Sequence, residues 1–373
     1  MTLTIDDIEM RHIRMRLVSA FETSFGVEHD REAIVLRLRA GGLEGWGECV
    51  AGAFPGYSYE TVGTAWNVLE AFFIPAVLAR PLASIEDYRA AVDSYKGHPL
   101  ARAGLELALW DLEGKTKQSP LSALLGGVRS SVPVGVSIGI QPDSATLVRA
   151  VEGYLAEGYR RIKLKIKPGR DIEEVRAVRQ AFPDVALQVD ANSAYTLEQG
   201  PAFAVLDDFG LLLIEQPLAE DDLLDHARLQ ARLKTPLCLD ESILSRRHAR
   251  QALEAGACRV INIKPARVGG LVEAVAIHDL CDRQGVPVWC GGMLETGIGR
   301  AANLALASLP GFTLPGDISA SARYYAHDIA EPTFTLNADS TIDVPRSPGL
   351  GVEVLEDELE RVTVRKATFR ASD

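Results

Sequence analysis

The stretch RRIKLKIKPG, residues 160–169, alternates with period two and so puts Lys163, Lys165 and Lys167 on one face of a strand and Ile162, Leu164 and Ile166 on the other. A lysine row alone is ordinary, because edge strands use lysine to discourage pairing. These lysines, however, belong to a longer series. Lys165, Asp190, Glu215 and Asp240 follow one another at intervals of 25 residues, and Lys264 comes 24 residues later. Each closes a short apolar stretch, in RIKLKI, ALQVDAN, LLLIEQP, PLCLDES and RVINIKP. Three carboxylates gathered at one place repel one another, and burying each is costly unless it is paired, hydrogen-bonded or bound to metal. A hard divalent cation resolves the repulsion. Oxygen ligands from Asp190, Glu215 and Asp240, completed by water and substrate, suit Mg²⁺ or Mn²⁺, and no histidine or cysteine is placed to argue for zinc. A single acid here is equally well explained as the cap of a following helix; three at equal pitch are not.

The elements that must carry these groups begin after LLGGVRSS, where short apolar strands alternate with amphipathic helical segments. The strands are VPVGVSIGI, RIKLKI, ALQVDAN, LLLIEQP, PLCLDES, RVINIKP, PVWCGG and FTLPGD. Eight strands with seven intervening helices predict parallel βα units closed into a barrel, with a doubly wound open sheet as the alternative. A polar residue at each strand's C-terminal end favours the barrel, which gathers those ends around one mouth. Upstream, EAIVLRLRA, the turn GG and LEGWGECV read as an antiparallel sheet, and residues 59–117 read as helices. The expected fold is α/β: a modified TIM barrel, (β/α)7β, at 131–322, with an α+β capping domain at 1–130. No eighth helix follows Asp317, so the tail 323–373 is expected to return to the capping domain.

In such a barrel Lys165 ends strand two and Lys264 ends strand six, on opposite sides of the mouth with the three acids between them. Two amines facing each other across a metal-bound substrate can remove and return a proton on opposite faces of one carbon. A lysine base must be neutral at working pH; desolvation and neighbouring positive charge, here from Lys163 and the cation, lower its pKa. The metal would stabilise the dianionic enolate left by removal of an α-proton.

Composition fits a small-molecule enzyme. The chain has 373 residues, 47% hydrophobic and 24% charged, which is ordinary for a globular protein. A formal charge of -12 with scattered lysines and arginines argues against nucleic acid or an anionic membrane as partner. The opening MTLTIDDIEMRHIRM has no apolar core of signal-peptide type, and no run is long enough to span a bilayer, so a cytoplasmic location is expected. Five cysteines with no C-x-x-C pair read as reduced core residues.

The set KLKIKPG, DANSAY, IEQPL, DES, NIKPARVGG and GGMLETGIGR resembles the enolase superfamily, in particular its muconate-lactonizing subgroup. Within it the chain is similar, from FETSFG to FTLPGDISAS, to the N-succinylamino acid racemase / o-succinylbenzoate synthase family. The resemblance implies Asp190, Glu215 and Asp240 as metal ligands, Lys165 and Lys264 as the acid/base pair, and Lys163 as the first lysine of K-x-K. It implies that Arg267 tunes Lys264, as an arginine of the racemase branch. Met293, Leu294 and Glu295 would wall the acyl pocket, and Phe21, Thr23 and Phe25 would belong to a mobile loop that closes over substrate. Core packing accounts equally well for these aromatic and apolar residues. Ser137 is placed to contact the substrate carboxylate or to be satisfied by backbone; Asn192, to bond a metal water or to hold its loop. The family forms dimers and octamers, so a homo-oligomer is expected.

The activity implied is racemisation of N-succinyl, more broadly N-acyl, amino acids, with o-succinylbenzoate synthesis as the alternative or as a second activity. In the synthase reaction Lys165 would be the base and Lys264 a cation steadying the enolate. A dipeptide epimerase is a further alternative, with Asp317 holding the dipeptide ammonium; a Schiff-base aldolase is the alternative from another chemical class. Two stretches depart from the family. Lys167 stands where relatives often carry an acid, and AGAFPGYSYE at 51–60 differs from the loop expected to choose the amino-acid side chain.

Overall fold

The computed structural model describes residues 4–370. Strands β1 (Asp7–Thr23), β2 (Gly26–Ala40) and β3 (Leu43–Cys49) form an antiparallel meander. The β2–β3 turn uses Gly41 and Gly42 at φ +56° and +80°, a region that glycine enters without steric cost. Helix Pro99–Thr116 lies against β3, and the glycines of LEGWGEC make that approach possible: a Cβ on Gly47 would sit 2.1 Å from the Gly104 carbonyl oxygen. Ile8, Met10, Ile34, Leu36, Trp66, Phe73 and Leu105 fill the core of this cap.

The chain then enters the barrel. β4 (Ser131–Pro133) precedes seven parallel strands: β5 (Val136–Ile138), β6 (Arg161–Lys165), β7 (Ala186–Asp190), β8 (Ile214–Glu215), β9 (Leu237–Leu239), β10 (Val260–Ile263) and β11 (Val288–Cys290). They pair in chain order, β5 to β11, with a helix in each connection. The segment 312–317 closes the ring. On one side Asp317 N donates to Cys290 O at 2.9 Å, and on the other Gly135 N donates to Gly316 O at 2.8 Å. The barrel is therefore closed, and the open doubly wound alternative is excluded.

Two strands differ from expectation. VPVGVSIGI is not continuous; it breaks between β4 and β5, and β4 pairs outward. Gly135 stands at the break, where a Cβ would come within 2.4 Å of the Arg161 guanidinium. FTLPGD makes isolated bridges rather than a regular strand, because Pro315 has no N–H to give a ladder.

The tail supplies β12 (Ala330–Glu331), β13 (Thr341–Asp343), β14 (Glu353–Val354) and β15 (Thr363–Arg370). β12 pairs with β14, β13 with β4, and β15 with β1 as the fourth strand of the cap sheet. The tail thus returns to the cap. All five cysteines are buried and free. Among the described residues no helix is long and apolar enough to cross a membrane.

Candidate active site

The floor of the site is set by strand alternation and strand ends. On β6, Arg161, Lys163 and Lys165 point into the barrel, as their spacing requires. Asp190 and Glu215 terminate β7 and β8, Asp240 follows β9, and Lys264 follows β10. One carboxylate oxygen from each of Asp190, Glu215 and Asp240 lies within 4.8 Å of the others, and all three residues are at most 1% exposed. Lys163 Nζ bridges the floor, donating to Asp190 Oδ2 at 3.0 Å and Glu215 Oε2 at 2.8 Å and pairing with Asp317 Oδ2 at 2.5 Å. Lys165 Nζ donates to Asp190 Oδ2 at 2.6 Å and Asn192 Oδ1 at 2.7 Å. At the other end of the triad Lys264 Nζ donates to Asp240 Oδ2 at 2.7 Å, and Arg267 donates to Asp240 Oδ1.

Charge follows from these contacts. Burial disfavours the ionised form of every group, yet Lys163 and Lys165 hold Asp190 below the usual carboxylate range, and Lys264 and Arg267 do the same for Asp240. Glu215 moves the other way, raised by burial and by the Asp190 charge. Asp240 outweighs burial and raises Lys264. The three carboxylates fit a divalent cation: they are hard oxygen donors, clustered, buried and mutually repulsive.

Above the floor the cap forms a roof. Phe21, Thr23, Phe25, Ser137, Lys163, Lys165, Asn192, Lys264, Met293 and Leu294 line one cavity, so ten of the residues singled out by sequence meet there. Ser137 Oγ is buried without a protein partner, which rules out the backbone-satisfied alternative. Asn192 holds its loop through Lys165 and by donating Nδ2 to Glu241 Oε1 at 2.8 Å. Asn192, Ser193, Gln216 and Leu294 have φ between +35° and +61°, a concentration of strained backbone around the mouth. The hairpin tip is seated on the barrel: Ser24 Oγ donates to Asn192 O at 3.2 Å, and Lys167 pairs with Glu22 at 3.0 Å. Lys167 thus neither enters the mouth nor stands free in solvent.

One model, described as the Mandelate racemase / muconate lactonizing enzyme N-terminal domain, matches residues 7–126, and another, Enolase C-terminal domain-like, matches 146–358. An N-succinylamino acid racemase of Amycolatopsis sp is 52% identical over 98% of this chain and 99% of its own. An o-succinylbenzoate synthase of Geobacillus stearothermophilus is 51% identical over 97% of both chains. The crystal structure of an enolase superfamily member from Listeria innocua superposes with a TM-score of 0.94 at 39% identity, covering 99% of this chain and 100% of that one. The chain belongs to the enolase superfamily.

In this superfamily member one sequence expectation is displaced. Glu295 does not wall the cavity: its Oε1 accepts from Met293 N at 2.9 Å, and it lies with Glu48 at the seam between cap and barrel. Arg267 is buried behind Asp240 and meets Lys264 on that shared carboxylate. Tyr57 was missed. From the 51–60 loop its Oη donates to Asp240 Oδ1 at 2.8 Å and accepts from Lys264 Nζ at 3.1 Å. No periodicity marks a loop residue that reaches across to another domain. Asn262, whose Nδ2 donates to Glu215 Oε1 at 2.7 Å, was also missed, although its β10 alternation with Lys264 carried the signal.

Proposed function

We propose that the protein is a divalent-metal-dependent racemase of N-succinyl, more broadly N-acyl, amino acids that works by proton transfer between two lysines. The observation that carries this reading is the placement of Lys165 and Lys264 in one cavity, each bonded to a different outer member of the acidic triad. Asp190, Glu215 and Asp240 would hold the ion, Mg²⁺ or Mn²⁺. It would supply positive charge that acidifies the α-carbon of a carboxylate substrate. One lysine amine then takes the α-proton, and the other ammonium gives a proton to the opposite face. Lys163, fixed on three carboxylates, keeps positive charge beside Lys165. Arg267 shares Asp240 with Lys264 and so tunes it. Ser137 Oγ is free to donate to the substrate carboxylate, and Phe21 and Phe25 exclude water from above.

A second reading, o-succinylbenzoate synthesis, has its own support. The racemase and synthase relatives match almost equally, at 52% and 51% identity over nearly the whole chain. For a dipeptide epimerase, Asp317 would need a free carboxylate; it is paired with Arg161 at 2.6 Å and with Lys163. We also infer a homo-oligomer, dimer or octamer, in the cytoplasm, acting on small molecules and on neither nucleic acid nor membrane. Racemisation and dehydration assays run side by side with Mg²⁺ test the ranking. Faster turnover of the N-succinylamino acid supports the racemase as the main activity; dehydration without racemisation overturns it.

A further inference from the structure

The cavity holds a fourth cation that the chemistry above leaves unused. Arg31, on β2 in the cap, lines the same cavity as Lys163, Lys165 and Lys264. Those lysines are committed to carboxylates on the floor, whereas Arg31 touches none of them. Its NH2 donates to the Val50 carbonyl, its NH1 makes a 3.3 Å contact with half-buried Glu28, and its buried Nε has no partner. The 51–60 loop is cut back to a glycine beside it: a Cβ on Gly52 would come within 2.9 Å of NH1. A buried guanidinium with unused donors is unfavourable unless something accepts from it. Planar carboxylates match its fork.

Both proposed substrates carry two carboxylates. One adjoins the reacting carbon and belongs with the floor; the other ends the succinyl arm and has no cation there left to meet it. We propose that Arg31 anchors the distal carboxylate of the succinyl group, with Glu28 yielding its place to the substrate, so that Arg31 selects succinyl over neutral acyl groups. This rests on the reading of the substrate class given above.

The test compares kcat/KM for an N-succinyl and an N-acetyl derivative of one amino acid, the second lacking only the arm that ends in the carboxylate. In Arg31→Leu the succinyl-to-acetyl ratio is expected to fall about 10- to 100-fold, the size of a lost charge-assisted bond. Arg31→Lys should recover part of it. Glu28→Gln, at a half-buried position, should raise it. A structural role alone would lower both substrates together. An unchanged ratio in Arg31→Leu overturns the proposal, and where that variant does not fold, an unchanged ratio in both Arg31→Lys and Glu28→Gln does so. If the protein racemises neither substrate, the reaction assigned above fails on its own. Calorimetric binding of N-succinylglycine against N-acetylglycine then still decides the anchor: equal affinity overturns it, and tighter succinyl binding lost in Arg31→Leu supports it.

Discussion

On the floor of the cavity Lys163 alone contacts three buried carboxylates, whereas on the roof Lys167 meets only Glu22, with both side chains about one-third exposed. Both are lysines of the same alternating segment, four residues apart in sequence. The difference lies in solvent. At the floor each charge depends on its neighbours, because none can be solvated once a partner is lost. At the roof water replaces a lost partner, so this tie between the hairpin tip and the barrel contributes little. The floor is thus a set of mutually dependent charges, whereas the hairpin tie is independent of them.

The largest effect expected is on the reaction itself. Lys264→Ala should reduce racemisation by about 10³-fold or more while the far-ultraviolet circular dichroism is kept. Activity within tenfold of the parent would remove the floor from the mechanism. Next comes the contrast between the two lysines. Lys163→Met takes the contacting lysine from buried Glu215 and one of two cations from each of Asp190 and Asp317, and should cost about 3–5 kcal/mol in urea unfolding; Lys167→Met should cost under about 1 kcal/mol. Equal costs would erase the distinction between floor and roof. Adding Mg²⁺ at about 100 times its Kd should stabilise the protein by about 2.7 kcal/mol. Asp240→Asn should reduce that gain, and an undiminished gain would place the ion elsewhere.

A smaller effect sits at the seam. Glu48, on β3, accepts from Thr296 N at 3.1 Å and Gly299 N at 2.9 Å across the domain boundary. Burial pushes it up from 4.5 to about 7, helped by Glu295 and opposed by its bonds to Thr296 and Gly299. A carboxyl raised in the folded state binds more protons folded than unfolded between those values. Stability is therefore lost as pH rises from about 4.5 to about 7, by roughly 1–3 kcal/mol for this group. Glu48→Gln should flatten that part of the profile, measured by urea titration at several pH values. A slope equal to the parent's would contradict it.

The floor was legible because strands report their direction in sequence. Alternation oriented Lys163 and Lys165, and a constant βα length brought Asp190, Glu215, Asp240 and Lys264 to one mouth. The roof was less so. Phe21 and Phe25 were found through resemblance, whereas Tyr57 and Arg31 reach the cavity by packing between residues far apart in the chain. Glu295 failed for a related reason: three consecutive residues after β11 cannot all face one cavity, and Leu294 at φ +61° turns the chain between its neighbours. The break of the first barrel strand depended on Arg161, a buried side chain from the next strand that needs the room Gly135 leaves.

The most direct test of two opposed lysines is α-proton exchange in D₂O, with Mg²⁺, on each enantiomer of an N-succinylamino acid separately. Lys165→Ala and Lys264→Ala should each still exchange one enantiomer, opposite ones, with inversion lost in both. Loss of exchange for the same enantiomer in both variants, or inversion surviving in either, would contradict the account.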